Sequence, residues 1–248
     1  MGKKDAVKFV ILRTLGNFLL IFAIFGVFAT FGPALYYEAR FRIIEARGIN
    51  FEVADEPTGL GDLADQQAEN NTTSQNQGGG ASFADLLTGS TNQVLTPPDT
   101  QFSIVIPKIG AVSKITPNVD PSDKDKFLPV LRESVAHAQG SVFPGLVGNI
   151  YLFAHSADSF WNAGRYNAIF YLIKDLEAGD EIIIFFEKER YTYIVTESKI
   201  VEPDDVSFIT RATQGGEQLI LQTCWPPGTT WDRLLVFARP RKTDTPFR

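Results

Sequence analysis

The chain of 248 residues holds one cysteine and two histidines. One cysteine excludes an intramolecular disulfide. It fits a reducing compartment, and equally an exported protein that keeps a single thiol for chemistry. The same scarcity excludes the common metal frames, since there is no HExxH, no CxxC and no paired Cys/His cluster. A glycine-rich phosphate loop is also missing: the one Gly-Gly-Gly run, at 78 to 80, lies in a polar tract rather than between a strand and a helix. The net charge of −6 argues against nucleic acid as the main partner, because phosphate neutralisation needs clustered Lys and Arg. Neither an internal repeat nor a strict βαβ alternation is present.

What the sequence does contain falls into three textures. Lys3, Lys4, Lys8 and Arg13 precede an apolar run from Leu15 to Phe31 that extends to Leu35 with Asn17 as its one polar residue. That reaches the roughly 20 residues needed to span a bilayer. Tyr36 and Tyr37 follow where an interfacial aromatic belt would lie. A cleaved signal peptide has a shorter apolar core, of roughly 7–15 residues. A core helix would carry a polar face that residues 18 to 31 lack. The expectation is an uncleaved anchor over residues 15 to 35. The basic residues before the span predict a cytoplasmic N-terminus (1 to 14) and an external bulk, although Arg40, Arg42 and Arg47 just past it pull the other way.

Residues 36 to 100 form the second texture, a juxtamembrane segment followed by a linker. No Lys or Arg occurs between Arg47 and Lys108, and the centre reads "QQAENNTTSQNQGGGAS". Such a stretch has little to bury, which predicts a disordered acidic and polar linker. As a flexible coil, about 40 residues span roughly 35 Å, enough to let a tethered domain sweep a volume. Within it, "FADLL" at 83 to 87 has the pattern of a helical turn.

From about Gln101 the chain changes again. The runs "QFSIVIPKI", "GNIYLFA", "DEIIIFFE", "YTYIVTES", "QLILQT" and "RLLVFA" are rich in β-branched and aromatic residues and are separated by turn residues. This predicts an all-β sandwich or barrel over 101 to 241, with 242 to 248 as a tail. A hairpin turn is expected at Lys188 to Arg190. Short helices are expected in "SDKDKFLPVL" and in the segment ending before Gly179.

Three polar side chains end or open strand-like runs. Cys224 closes "LILQTC", ahead of "WPPG", where Pro226 and Pro227 cannot donate to a ladder. His155 closes "NIYLFAH". Arg233 opens "RLLVFA", and an antiparallel pairing of the two runs flanking the "WPPGTTWD" loop brings it near Cys224. A thiol, an imidazole and a guanidinium are the groups that acyl transfer needs: nucleophile, proton carrier and carbonyl or oxyanion ligand. The other reading stays open at this level. A lone cysteine in an apolar run is ordinarily a small buried hydrophobe, and a lone histidine after a strand is ordinarily a satisfied polar residue.

Several blocks in order resemble one family. "LILQTC", eight further residues and "RLLVFA" resemble the sortase signature, a TLxTC strand, a loop, and an arginine on the next strand. "ESVAHAQGSVFPGLVGNIYLFAHS" resembles the family's block with a Pro-Gly turn and a GN-initiated strand leading to a histidine, and "FSIVIPKIGA" resembles its first strand. The resemblance covers residues 101 to 240. It implies an eight-stranded β-barrel with short helices, preceded by one transmembrane helix and a disordered linker. It also implies Cys224 as nucleophile, His155 as general acid/base, and Arg233 as the family's arginine. The implied reaction is transpeptidation. A secreted protein with an LPxTG-like sorting signal is cleaved after Thr, held as a thioester, and passed to an amine of a cell-wall precursor or a pilin lysine. No cofactor is implied; acidic loops such as "EPDD" at 202 to 205 carry the oxygen donors that Ca2+ takes, but runs of Asp and Glu are ordinarily solvated faces.

Around this set, Thr223, Trp225 and His137 are expected near substrate, with Trp225 or Trp231 either walling the groove or covering the barrel end, while Asp158 or Ser156 is expected to orient His155. Ile220 stands where the family has Thr, and Ala154 where it usually has Gly. No second apolar span follows Arg233 and no aromatic lid motif precedes the barrel, which favours housekeeping anchoring over pilus polymerisation. The competing functions are a cell-wall cysteine peptidase that releases product into water, and a non-catalytic surface β-domain with a buried Cys224.

Overall fold

The computed structural model describes residues 3–54, 92–156, 169–205, 207–210, 216–227 and 229–241. Helix α1 (Lys3–Arg47) is continuous. Its stretch Val7–Val27 is apolar, long enough to cross a membrane, and exposed throughout, as a bilayer anchor requires. The helix continues past residue 35, the expected end of the anchor, through the juxtamembrane segment to Arg47, because its outer turns find something to pack on. Phe41 and Ile44 are buried there. The helix stops at Gly48, whose φ of 61° suits glycine. Gly48 N–H donates to the Glu45 carbonyl and Ile49 N–H to the Ile44 carbonyl, each at 3.1 Å, and Ile49 packs on Ile44. This pair of bonds with its hydrophobic contact is a Schellman cap.

Strands β1 (Asn50–Val53) and β2 (Asn92–Leu95) then pair in parallel. The remainder of the expected linker, 55 to 91 with its "FADLL", lies outside the described residues.

Eight strands close a barrel: β3 (Phe102–Ile106), β4 (Ala111–Val119), β5 (Val135–Ala138), β6 (Gly148–Phe153), β7 (Glu181–Phe186), β8 (Glu189–Val201), β9 (Glu217–Trp225) and β10 (Asp232–Pro240). Their order is β10-β8-β7-β3-β4-β5-β6-β9, and β10 returns to β9. Two neighbouring pairs, β4 with β5 and β6 with β9, are parallel, so the barrel is mixed. The first parallel pair is joined through helix α2 (Lys124–Leu131), whose Asp123 accepts a 3.1 Å bond from the Asp125 N–H as N-cap.

The apolar runs read as near-continuous because most strands are buried on both faces. Ile104, Ile106, Ile182, Ile184, Leu219 and Leu221 fill the interior. On one outer face, Val105, Ile183 and Phe185 are covered by Phe51, Val53 and Leu95 of the β1–β2 pair. On another, Tyr151, Phe153, Ile220, Leu235 and Phe237 are covered by α2 and by Phe208 of helix α3 (Ser207–Thr210). The β7–β8 hairpin turns at Glu187 and Lys188, both at positive φ. A 3₁₀ helix, Tyr171–Asp175, plugs the barrel with Tyr171, Leu172 and Ile173.

Candidate active site

Strand β9 lies between β6 and β10, and this order builds the site. Cys224 pairs directly with Arg233 across the antiparallel β9–β10 ladder. On the other side, Phe153 of β6 is level with Gln222 of β9 in a parallel ladder. The Ala154 N–H donates to the Gln222 carbonyl at 3.2 Å, and Thr223 Oγ1 donates to the Ala154 carbonyl at 3.1 Å. His155 follows at once, so it leaves β6 at the level of Cys224. Parallel strands β6 and β9 thus bring His155, two residues past the end of β6, level with Cys224, the penultimate residue of β9.

Alternation sets which way the groups face. Leu219 and Leu221 point into the barrel while Ile220 points out, and Cys224 shares the parity of Ile220. Likewise Leu234 and Val236 point in, Leu235 and Phe237 point out, and Arg233 shares their outward parity. Cys224 and Arg233 therefore sit on the outer face of two hydrogen-bonded strands, each half-buried.

The electrostatics are opposed. Burial pushes the Cys224 thiol above its ordinary range, and the positive charge of Arg233 pulls it back. At neutral pH the thiol form dominates, and Arg233 supplies the bias toward thiolate. The guanidinium is aimed by its own loop, with Nη1 donating to the Asp232 carbonyl at 2.9 Å and the Thr230 carbonyl at 3.3 Å. The loop is tied by Thr229, whose N–H and Oγ1 both donate to the Pro226 carbonyl, at 3.0 and 2.7 Å. The Trp225–Pro226 peptide is cis.

Other residues named from the pattern fall elsewhere. Thr223 is buried on the inner parity, and its hydroxyl staples β9 to β6 one residue before His155. Trp225 packs on the interior cluster, whereas Trp231 is 72% exposed. His137, on β5, is fully buried. Its Nδ1 accepts from the Asn118 N–H at 3.3 Å, its Nε2 lies 3.0 Å from the Val142 carbonyl, and its ring stacks on Phe143 at 4.5 Å. That pattern assigns the Nε2–H tautomer, and burial holds its pKa below the usual histidine value. Ile220 is fully buried among Tyr151, Phe153, Leu235 and Phe237, so the departure from Thr is a packing choice. Ala154 is an inward-facing core residue. Ser156 is buried, and Asp158 lies outside the described residues. In "EPDD", Asp205 accepts from the Ser207 N–H at 3.1 Å ahead of α3. Among the described residues no group of three or more His, Cys, Asp or Glu is arranged to hold a metal ion.

One outer-face pair escaped the sequence reading. Tyr151 OH donates to Gln222 Oε1 at 2.5 Å. Burial raises the phenol's pKa, and the charge of Arg233 opposes that rise, which places the guanidinium within electrostatic reach of Tyr151. The signal was available: Tyr151 is two residues before Phe153 and Gln222 two before Cys224, on the same face.

A family model described as Sortase domain matches residues 104–241. The chain belongs to the sortase family. Sortase D of Bacillus subtilis (strain 168) is 33% identical over 121 residues, 49% of this chain and 52% of that relative. The chain thus spans about half the length of the curated relative it matches. Among solved sortases, sortase A from Corynebacterium diphtheriae is 26% identical with a TM-score of 0.47, covering 58% of this chain and 61% of that one. A Clostridium perfringens sortase C solved with the C-terminal cell wall sorting motif is 24% identical with a TM-score of 0.47, covering 57% and 70%. The Gly148–Asn149 start of β6 has a steric reason. Gly148 sits at φ 139°, and a Cβ there would meet Val142 at 2.9 Å.

Proposed function

We propose that this sortase is a membrane-anchored cysteine transpeptidase with Cys224, His155 and Arg233 as its reacting groups. The observation that supports this most is the strand order: Cys224 and Arg233 are ladder partners, and His155 leaves the parallel strand on the other side of Cys224. The substrate is a secreted protein carrying an LPxTG-like signal, presented on the outer side of a membrane that α1 crosses with its N-terminus in the cytoplasm.

The chemistry follows from the three groups. The Cys224 thiolate attacks the Thr carbonyl carbon, forming a C–S bond. The carbonyl oxygen gains charge that the Arg233 guanidinium neutralises. Collapse breaks the Thr–Gly amide, and His155 gives a proton to the departing Gly amine. An acceptor amine then attacks the thioester, the C–S bond breaks, and His155 takes the proton that the new amide sheds. Because burial raises the thiol, only a minority of molecules hold the reactive thiolate at neutral pH.

The test is a peptide-library cleavage screen on the full chain in detergent micelles, with and without amine acceptors. Cleavage after Thr, product joined to amine, and complete loss in Cys224→Ala are expected. Full turnover in Cys224→Ala would sink the proposal. Release into water with no response to amine would instead mark a cysteine peptidase.

A further inference from the structure

Beneath the row of Cys224 and Arg233, the outer face of β6, β9 and β10 is almost closed. One step down, Phe153 and Leu235 are buried on either side of Gln222; a further step down, Tyr151, Ile220 and Phe237 are all buried. Helix α2 covers this face through Phe127, whose ring lies 6.0 Å from that of Phe153, and α3 covers it through Phe208, 5.6 Å from Phe237. Gln222 is the exception and stays half-buried. It is therefore the side chain of this floor that a molecule lying against Cys224 can touch.

The Gln222 amide is held in one orientation. Tyr151 is fully buried, so its hydroxyl needs an acceptor, and it finds one in Gln222 Oε1 at 2.5 Å. Burial pushes the phenol's pKa up, so the hydroxyl stays a donor through the neutral range. The oxygen end of the amide is thereby occupied and the NH2 end is turned away from Tyr151. Among the described residues, Nε2 has no protein acceptor, and it is open to solvent rather than sealed. A fixed donor without a protein partner thus sits two residues before Cys224 on the same face, roughly 7 Å along β9. The neighbouring Arg233 guanidinium also only donates. A surface that offers donors suits the carbonyl oxygens of a peptide.

We propose that Gln222 is a substrate-binding residue whose Nε2–H donates to a backbone carbonyl of the acyl-side peptide. An extended peptide rises at about the same rate as the strand beneath it, which sets that carbonyl about two residues before the cleaved bond. The bond fixes where the acyl chain lies along β9, and so where the scissile carbonyl meets the Cys224 sulfur. Tyr151 acts through Gln222 and is a positioning residue. The proposal rests on the reading of Cys224 as nucleophile given above.

The experiment uses the full chain in detergent micelles with Gln222→Met, which keeps the length and loses the donor, and Tyr151→Phe, which releases the amide. Two acyl donors are compared. Ac-Leu-Pro-Ala-Thr-Gly-amide extends past Gln222, whereas the thiobenzyl ester of acetyl-threonine ends short of it. For the long donor, Gln222→Met should raise KM about fivefold and lower kcat about twofold, and Tyr151→Phe should lower kcat/KM about threefold. Turnover of the short donor and alkylation of Cys224 by iodoacetamide should stay within about 1.5-fold of wild type, which a merely structural effect would not allow. An unchanged long donor overturns the proposal, and so do equal losses for both donors. Should Tyr151→Phe fail to fold, the half-buried Gln222→Met carries the comparison alone. A second readout needs no cleavage. In an isotope-labelled Cys224→Ala chain, saturation with the long peptide should move one Gln222 Nε2 proton downfield, and an unmoved signal overturns the bond. If the wild-type chain turns over neither donor, the proposed function fails, while the Gln222 signal still decides the contact.

Discussion

Thr223→Val is the sharpest probe of how the fold builds the site. The substitution keeps shape and removes one hydroxyl. That hydroxyl donates to the Ala154 carbonyl at 3.1 Å, in a place where Thr223 and Ala154 are both buried. Loss of the donor leaves a buried carbonyl without this partner, which costs about 1–3 kcal/mol. For a domain of this size, 2 kcal/mol lowers Tm by about 4–8 °C. The catalytic effect should be larger than the stability effect. The carbonyl belongs to the residue just before His155, so the β6–β9 staple sets the height of the imidazole against Cys224. A displacement of about 1 Å at a reacting group can cost about 100-fold. The assay pairs thermal unfolding, followed by near-UV circular dichroism, with kcat for peptide cleavage at saturating substrate. Thr223→Ser retains the hydroxyl and should recover most of kcat. Equal kcat in the Val variant and wild type would refute the stapling argument. So would a Ser variant as impaired as Val.

The remaining expectations follow from single features of the structure. Alkylation of Cys224, the only thiol, should have a pH midpoint above that of a free cysteine because burial raises it, and Arg233→Gln should move the midpoint higher still; a lower midpoint in that variant would show that Arg233 does not act on the thiol. Ile220→Thr restores the family's more usual residue yet places a hydroxyl in an apolar cluster, so it should destabilise by about 1–3 kcal/mol in denaturant titration, and a stabilised variant would contradict the packing account. His137 has a folded-state pKa below its unfolded value, so its contribution is complete above about pH 6.5 and is lost as pH falls through the lowered folded value. Melting curves between pH 7 and 4 should show that loss, and His137→Phe should flatten it. Phe41→Ala should cost about 3–5 kcal/mol of barrel stability, although residue 41 lies on the anchor helix, and an unchanged barrel melt would separate the two.

The parts that could be read from the chain are those where residue pattern and local physics agree. The apolar run of α1 has the length of a bilayer and no polar face. The β9 run stops before Pro226, whereas the hairpin expected at Lys188 to Arg190 turns earlier, at Glu187–Lys188, because Glu189 and Arg190 already pair with Phe186 and Phe185. The trio Cys224, His155 and Arg233 was singled out by strand ends, then by resemblance. Strands β4 and β5 went unread because Ala111–Val119 mixes Ser, Lys, Thr and Pro into the ladder, and Val135–Ala138 is only four residues long. The extension of α1 to Arg47 was missed because "EARFRIIEARGIN" looks amphipathic only to a reader who knows that a barrel lies beside it. The ending itself was written locally, in Gly48 flanked by Ile44 and Ile49.

By itself the sequence determined the apolar helix, the β-rich domain and the cysteine, histidine and arginine at the strand ends, because periodicity, turn chemistry and residue type are local properties. Tertiary structure alone decided that β6 runs parallel to β9, which sets His155 at the level of Cys224 from 69 residues away. It also decided that Thr223 faces inward as a staple, that His137 is a buried neutral ring, and that Tyr151 holds the Gln222 amide. Each of these depends on which surfaces meet after the barrel closes. Contacts between residues far apart in sequence arise from burial of both faces of a closed sheet, and no short window of sequence carries that information.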